Sequence, residues 1–490
     1  MSPDSLRLHL RDLRKRRGPF RSPANAEAEI ARLLSRLEPG SIERKVFELS
    51  EVLRLPFKKI AADLGVSERH LYRIRSALYE QLAADETPVS VRSVIPRETQ
   101  EIELARTVIR YGHSQRGLEI VDRLLDKALP DAHALDALTT RALALSGQGR
   151  YDEARNALEE ARSLAARLPD TDANNARRSI AMAEAYIPYR DGLSDLAIEL
   201  SERALNAGVA PRNPFEARSY SRDLIFLAIQ HEEAHNPKRG LECLAKAYDV
   251  LRRLPVPPSA ELAQVLVYRA LLRAAVPAEA ANARSDAEEA LQIAQWHGLQ
   301  YEEIWSLLAL ACLTDMAGNP RDAVPIVQRA IELGSAVLDE DPLIRTLFIT
   351  ARIEGASGMG DSALARLRRA RPLAEHHGLL RGILEVAEAR ARRQRGEVSE
   401  TIASATRAID ALEGRAKTHY LGIPYLARAI ARTKIGAENR DDIERALFYL
   451  DSGGALLEKA RALELSYSVT GNRHDLEAAR ELRLTARHIA

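Results

Sequence analysis

The chain has little that would stabilise a small or oxidised fold. Two cysteines in 490 residues, Cys243 and Cys312, cannot build a disulfide framework. Both fall in apolar helical stretches, so the expectation is a pair of reduced, buried thiols in a cytoplasmic protein. Aromatics are scarce at 5%, and Gly (25) and Pro (22) are modest. So few aromatics, with Gly and Pro at these levels, fit a mostly helical chain and not a disordered one. No run approaches 18 uninterrupted apolar residues, so no membrane span is expected. The first residues, MSPDSLRLHLRDLRKRR, lack the apolar core of a signal peptide. No glycine-rich loop leading into Lys-Ser or Lys-Thr is present, so no nucleotide site of that kind is expected.

What remains is Ala, Leu, Arg and Glu in abundance, with 46% hydrophobic and 29% charged residues. These residues favour helix, and the apolar share is ample for burial. The formal charge is only +1, but it is unevenly spread. Residues 1–85 hold 17 Lys or Arg against 12 Asp or Glu, leaving the remainder mildly acidic. A basic head on an acidic body directs any polyanion to the head.

The head reads in two pieces. Residues 1–41 form a basic helical segment whose Arg14, Lys15, Arg16 and Arg17 are suited either to a helix C-terminus or to phosphates. In residues 42–84, Ile42 to Leu53 carries a helical apolar period through Val46 and Leu49. Pro56 opens a short helix, Phe57 to Leu64, which Gly65 closes. Ser67 is placed to cap a third helix, Glu68 to Ala84. Helix, tight turn and capped helix predict a helix-turn-helix. On the third helix Leu71, Ile74, Leu78 and Leu82 form the packing stripe. Arg69, Tyr72, Arg73 and Ser76 occupy the opposite face and are the candidates for reading bases, since arginine can grip guanine O6 and N7 with both arms of its fork. Lys58, Lys59, Ser67, His70 and Arg75 flank that face and suit phosphates.

Arg44 to Ser50, Leu55 to Ala61, Leu64-Gly65-Val66-Ser67 and Ala77-Leu78 resemble sigma-factor region four and the related LuxR-type helix-turn-helix. The likeness spans about 43 residues and implies a module for double-stranded DNA. Lys59 stands where an acidic residue is usual and His70 where threonine is usual. Nothing upstream resembles a promoter-melting region, so a complete sigma factor is not implied.

Residues 85–100 carry Pro88 and Pro96 and no helical period, and are read as a hinge. From 101 to 490 the chain repeats. Turn-forming residues recur at Gly112, Gly149, Gly192, Asn236, Asn282, Gly318, Gly360, Gly396, Asn439 and Gly471, about 40 residues apart. Five residues on stand mostly small or apolar positions such as Ala154, Ala197, Ala287, Ala323 and Ala365. Twelve residues on stand Ala161, Ala204, Ala294, Ala330 and Ala408. Small residues seven apart let a neighbouring helix approach closely. Gly149 to Ala154 and Gly318 to Ala323 resemble the start of the second helix of a tetratricopeptide repeat. The family period is 34 residues, so the spacing here implies longer helices or turns. The expected fold is all-α: a small helix-turn-helix domain followed by a long tetratricopeptide-like α-solenoid of nine or ten hairpins. Such a solenoid has a concave surface, and the tetratricopeptide likeness implies a peptide or protein partner there, the alternative being a purely structural or dimerising rod. The lining of that surface is not legible, although Asn174, Asn175, Arg178, Tyr186 and Tyr189 fall on or near first helices.

One catalytic pattern appears, His231-Glu232-Glu233-Ala234-His235. Histidines four apart share a helix face and can bind zinc, with the intervening glutamate as general base. Charged Glu233 and the early Pro237 argue against it, no third ligand is evident, and the repeat phase already accounts for the segment. The remaining expectation is no enzyme, no cofactor and a DNA-binding regulator, dimeric because one small module makes few contacts. The competing reading is an adaptor whose head docks on RNA polymerase or another protein.

Overall fold

The computed structural model describes residues 33, 37, 41–47, 49–50, 57–64, 66–84, 96–206, 211, 214–234, 236–254, 257–276, 279–375, 378–413, 419–450 and 455–487. All the regular structure among them is helical. Three helices form the head from Ile42 onward: α1 (Ile42–Phe47), α2 (Phe57–Asp63) and α3 (Glu68–Ala84). Val46, Ile60, Ala61, Leu71 and Ile74 form their buried core, with Leu49, Leu64 and Val66 packed against it. The expected stripe on α3 is therefore buried, Leu78 and Leu82 included. The Ser67 hydroxyl accepts from the His70 backbone N–H at 3.2 Å and so satisfies one of the free donors at the start of α3.

Ten hairpins follow among the described residues. They pair α4 (Arg97–Arg110) with α5 (Ser114–Leu125), α6 (Asp131–Gly147) with α7 (Tyr151–Ala165), and α8 (Asp170–Asp191) with α9 (Ser194–Asn206). Next come α10 (Pro214–Glu233) with α11 (Pro237–Arg252), α12 (Ser259–Ala274) with α13 (Ala283–His297), and α14 (Gln300–Met316) with α15 (Pro320–Val337). The last four are α16 (Glu340–Ala356) with α17 (Gly360–Ala370), α18 (Gly378–Arg395) with α19 (Val398–Leu412), α20 (His419–Lys434) with α21 (Arg440–Leu450), and α22 (Leu456–Thr470) with α23 (Arg473–Arg487). The first begins at Arg97, inside the segment read as hinge, because Pro96 supplies a fixed φ just ahead of the helix.

The two helices of a hairpin bury themselves differently. Second helices bury a single stripe, as in α15 with Ala323, Val327, Ala330, Ile331 and Gly334. First helices are buried around most of their circumference, as in α14 with Ile304, Leu307, Leu308, Ala309, Leu310 and Leu313. That places first helices inside and second helices outside. The expected small positions Ala154, Ala161, Ala287, Ala294, Ala323, Ala330 and Ala408 are all fully buried.

The α16–α17 and α20–α21 turns depart from the expected register. The left-handed residue at the α16–α17 turn is Gly358, with φ of 89°, while Gly360 already belongs to α17. The small buried residue is accordingly Ala363, and Ala365 is exposed. At the α20–α21 turn the left-handed residue is Gly436, ahead of Asn439, and Ile443 is buried while Glu444 is exposed.

Candidate functional site

The superhelix closes on itself. The turn after α4 docks on the turn before α16, more than 220 residues later. The Asp339 N–H donates to the Tyr111 carbonyl at 2.9 Å, and His113 Nε2 lies 3.0 Å from the Val337 carbonyl. The Ser114 hydroxyl donates to Glu340. Arg110 lies 3.4 Å from Glu302 on α14, and the Tyr301 N–H donates to the Tyr111 hydroxyl at 3.2 Å. Arg222 on α10 reaches both Glu103 and Glu261 at 2.8 Å. Gly112 makes the close approach possible: its φ is 92°, and a Cβ there would stand 1.9 Å from the Asp339 carbonyl oxygen.

Closure turns the concave face into a lumen of about 490 Å³, lined chiefly by first helices from α4 to α22. The volume lies within the usual range of ligand pockets, roughly 300–1,000 Å³. Eight aromatic side chains line it, a large share in a chain with only 14 Tyr, 7 Phe and 2 Trp. Tyr189 and Phe226 pack edge to face at 5.2 Å, and Tyr186 lies 5.6 Å from Phe226. Tyr301 lies 6.0 Å from Trp305, whose Nε1 is buried without a partner. Tyr268, Phe348 and Tyr420 complete the wall.

Charges are set among these rings. Asp341 takes Arg190 at 2.8 Å and Arg345 at 3.1 Å. Glu233 accepts from Arg345 at 2.9 Å and from the Tyr189 hydroxyl at 3.0 Å. Arg352 lies 3.1 Å from Asp315 and donates to Cys312 Sγ at 3.1 Å. Burial pushes the Cys312 thiol up, against the pull of Arg352. Burial, and then the charge of Glu233, lift the Glu232 carboxyl to about 7, with Arg345 pulling the other way.

The sequence-derived candidates fall in separate places. Tyr186 and Tyr189 line the lumen. Arg178 instead holds Asp223 at 2.9 Å, and Asn175 accepts from Arg178. Glu232 faces the lumen, but His231 lies 3.6 Å from Glu202 on the outer helix α9, because successive helix residues are rotated by about 100°. His235 is outside the described residues, and among those described no cluster of three or more His, Cys, Asp or Glu is arranged to hold a metal. On α2 and α3, Lys58, Lys59, His70 and Arg73 are exposed and Arg75 is half-buried. Arg73 Nη2 lies 3.3 Å from His70 Nδ1. The side chains of Arg69, Tyr72 and Ser76, and all of Arg14 to Arg17, lie outside the described residues.

No protein-family model matches the chain, and the search of curated proteins finds no match. Solved structures do match. The Rap protein complexed with competence and sporulation factor aligns at a TM-score of 0.52 and 14% identity, over 73% of this chain and 98% of that one. NprR in complex with its cognate peptide NprX aligns at 0.47 and 16%, over 71% and 98%. Identity this low speaks only to architecture: the chain is all-α, and its body is a tetratricopeptide-like α-solenoid. Among the described residues, no helix is long and apolar enough to cross a membrane.

Proposed function

We propose that this chain is a DNA-binding transcriptional regulator whose repeat lumen takes a short peptide. The observation that carries the sensing role is the lumen itself, walled by aromatic rings and holding polar atoms, Trp305 Nε1 and Glu233 Oε2, that have no hydrogen-bond partner among the described residues. A surface that served only as a rod would fill such a space with side chains. The Rap protein, of the same architecture, is complexed with competence and sporulation factor, which is a precedent for a solenoid that holds a factor.

The DNA-binding role rests on the head. Its short second helix, capped third helix and exposed Lys58, Lys59 and Arg73 suit a helix laid in the major groove with lysines at the backbone. Arg69 and Arg73 would read bases, and two heads in a homodimer would read paired half-sites. Ligand in the lumen would favour one arrangement of the heads and so change operator affinity.

Selection of random duplex DNA on the full-length protein at two salt concentrations tests this reading. A motif that survives the higher salt, above all an inverted repeat, supports it. Enrichment that vanishes with salt and leaves no motif marks simple polyanion attraction, and the head would then be an adaptor for RNA polymerase or another protein. Within a selected site, Arg73→Ala is expected to cost about 1–3 kcal/mol and to relax preference at the contacted base. Lys58→Ala is expected to weaken all sequences alike and to flatten the salt dependence.

A further inference from the structure

Each charged side chain of the lumen wall except one has a partner among the described residues. Asp341, Glu233 and Asp315 hold arginines, and Glu340 accepts from Ser114. Glu458 lies 3.4 Å from Arg390 and also meets Arg393 and Arg461. Glu232 has neither a hydrogen bond nor an ion pair among them, although it faces the lumen from the last turn of α10. Beside it, Glu233 is 5% exposed and spends only Oε1 on Arg345 and Tyr189, leaving Oε2 buried without a partner.

At this corner three carboxylates, Glu232, Glu233 and Asp341, share two guanidiniums, Arg190 and Arg345. One negative charge is therefore left over when Glu232 is ionised. The fields of Glu232 and Glu233 act on the phenols of Tyr268 and Tyr420, both of which burial first pushes up. Cys312 and Arg352 border the same corner. An acid left unpaired on a largely apolar wall costs stability, and aromatic faces attract cations that have shed water. A protein that keeps both together, with room beside them, is arranged for a donor that arrives from outside.

We propose that this corner is a subsite for an organic cation, an ammonium or guanidinium group carried by the ligand, with Glu232 as its counter-ion and Tyr268 and Tyr420 beside it. The group can belong to a basic peptide side chain or to a free diamine. The inference rests on the lumen being a ligand site, as in the function proposed above.

Calorimetry and thermal shift on the full-length protein at pH 8 test it with three probes. These are a random pentapeptide pool with lysine fixed at the centre, the matched pool with norleucine there, and cadaverine alone. The lysine pool is expected to bind at least tenfold more tightly than the norleucine pool, and Glu232→Gln is expected to bring the two within about twofold. Cadaverine binding that Glu232→Gln abolishes, with neither pool binding, would keep the cation subsite and remove the peptide reading. A norleucine pool that binds as well as the lysine pool would keep the peptide reading and overturn the subsite. No binding by any of the three overturns both.

Discussion

Glu232 is the residue at which stability and the proposed cation binding oppose each other. An ordinary glutamate releases its proton near 4.5, whereas burial and the adjacent Glu233 hold this one to about 7 in the folded chain. Between those values the folded state binds the proton and the unfolded state does not. The contribution of Glu232 to stability is thus fully present below about 4.5 and lost as pH rises through about 7. Glu232→Gln removes the charge and with it that loss. The variant is expected to match the wild-type chain near pH 4 and to exceed it at pH 8 by on the order of 2 kcal/mol, a figure that allows for water in the lumen. Urea melts of the ligand-free protein at the two pH values measure this. A variant less stable than wild type at pH 8 would mean that Glu232 is an ordinary structural acid. The sequence brought Glu232 to notice for a different reason, as the middle of a zinc-like pattern. Its value depends on which way one helix position points, and that orientation is set by tertiary packing.

At the scale of the element, most of the repeat was legible. Turn glycines and buried alanines recur because left-handed turns and close helix approach admit few residue types. The misplaced turn at Gly360 has the same cause: in Gly358-Met359-Gly360 both glycines satisfy the pattern, and only the backbone selects the first. Less legible was a polar device that ties first helices to second helices. Arg269 and Arg273, one turn apart on α12, clasp Asp286 on α13 at 2.8 and 2.6 Å. Arg428 and Arg432 on α20 clasp Asp442 on α21 at 2.8 and 2.9 Å. Arginines four apart are common on any wet helix face, so the spacing alone gives no signal without the acid that meets it. The Asp442 side chain is completely buried. Asp442→Ala leaves the Arg428 guanidinium buried without its counter-charge, and the expected cost is about 3–5 kcal/mol. Exchanging the exposed pair Arg440–Glu444 for alanines, on the same helix, is expected to cost under about 1 kcal/mol. Equal losses in chemical denaturation would show that the clasp contributes no more than a surface pair.

At the scale of the whole molecule, the lumen exists because hairpins distant in sequence meet, and no local period encodes such a meeting. Tyr186 and Tyr189 could be placed on a first helix from sequence, yet their companions Tyr268, Tyr301 and Tyr420 come from three other hairpins. The one local trace of closure is Gly112, whose missing side chain admits the Asp339 carbonyl. A comparison of two glycines isolates what closure contributes. Gly112 and Gly396 both adopt left-handed backbone, with φ of 92° and 77°, but a Cβ at Gly396 would meet nothing within 4 Å. Alanine at either position incurs the same backbone strain, roughly 1–2 kcal/mol. Only Gly112→Ala must also push the first hairpin off the seventh, breaking the Tyr111–Asp339 hydrogen bond. Gly112→Ala is therefore expected to lose more stability than Gly396→Ala and to speed amide exchange at Asp339 and Tyr301, whose N–H groups donate to Tyr111. Once closure is lost the wall no longer holds its shape, so the ligand binding proposed for the lumen is expected to weaken in the first variant and to hold in the second. Matching stability and exchange in the two variants would mean that the ring of hairpins stays shut without this contact, and that the lumen owes its shape to the stacked repeats alone.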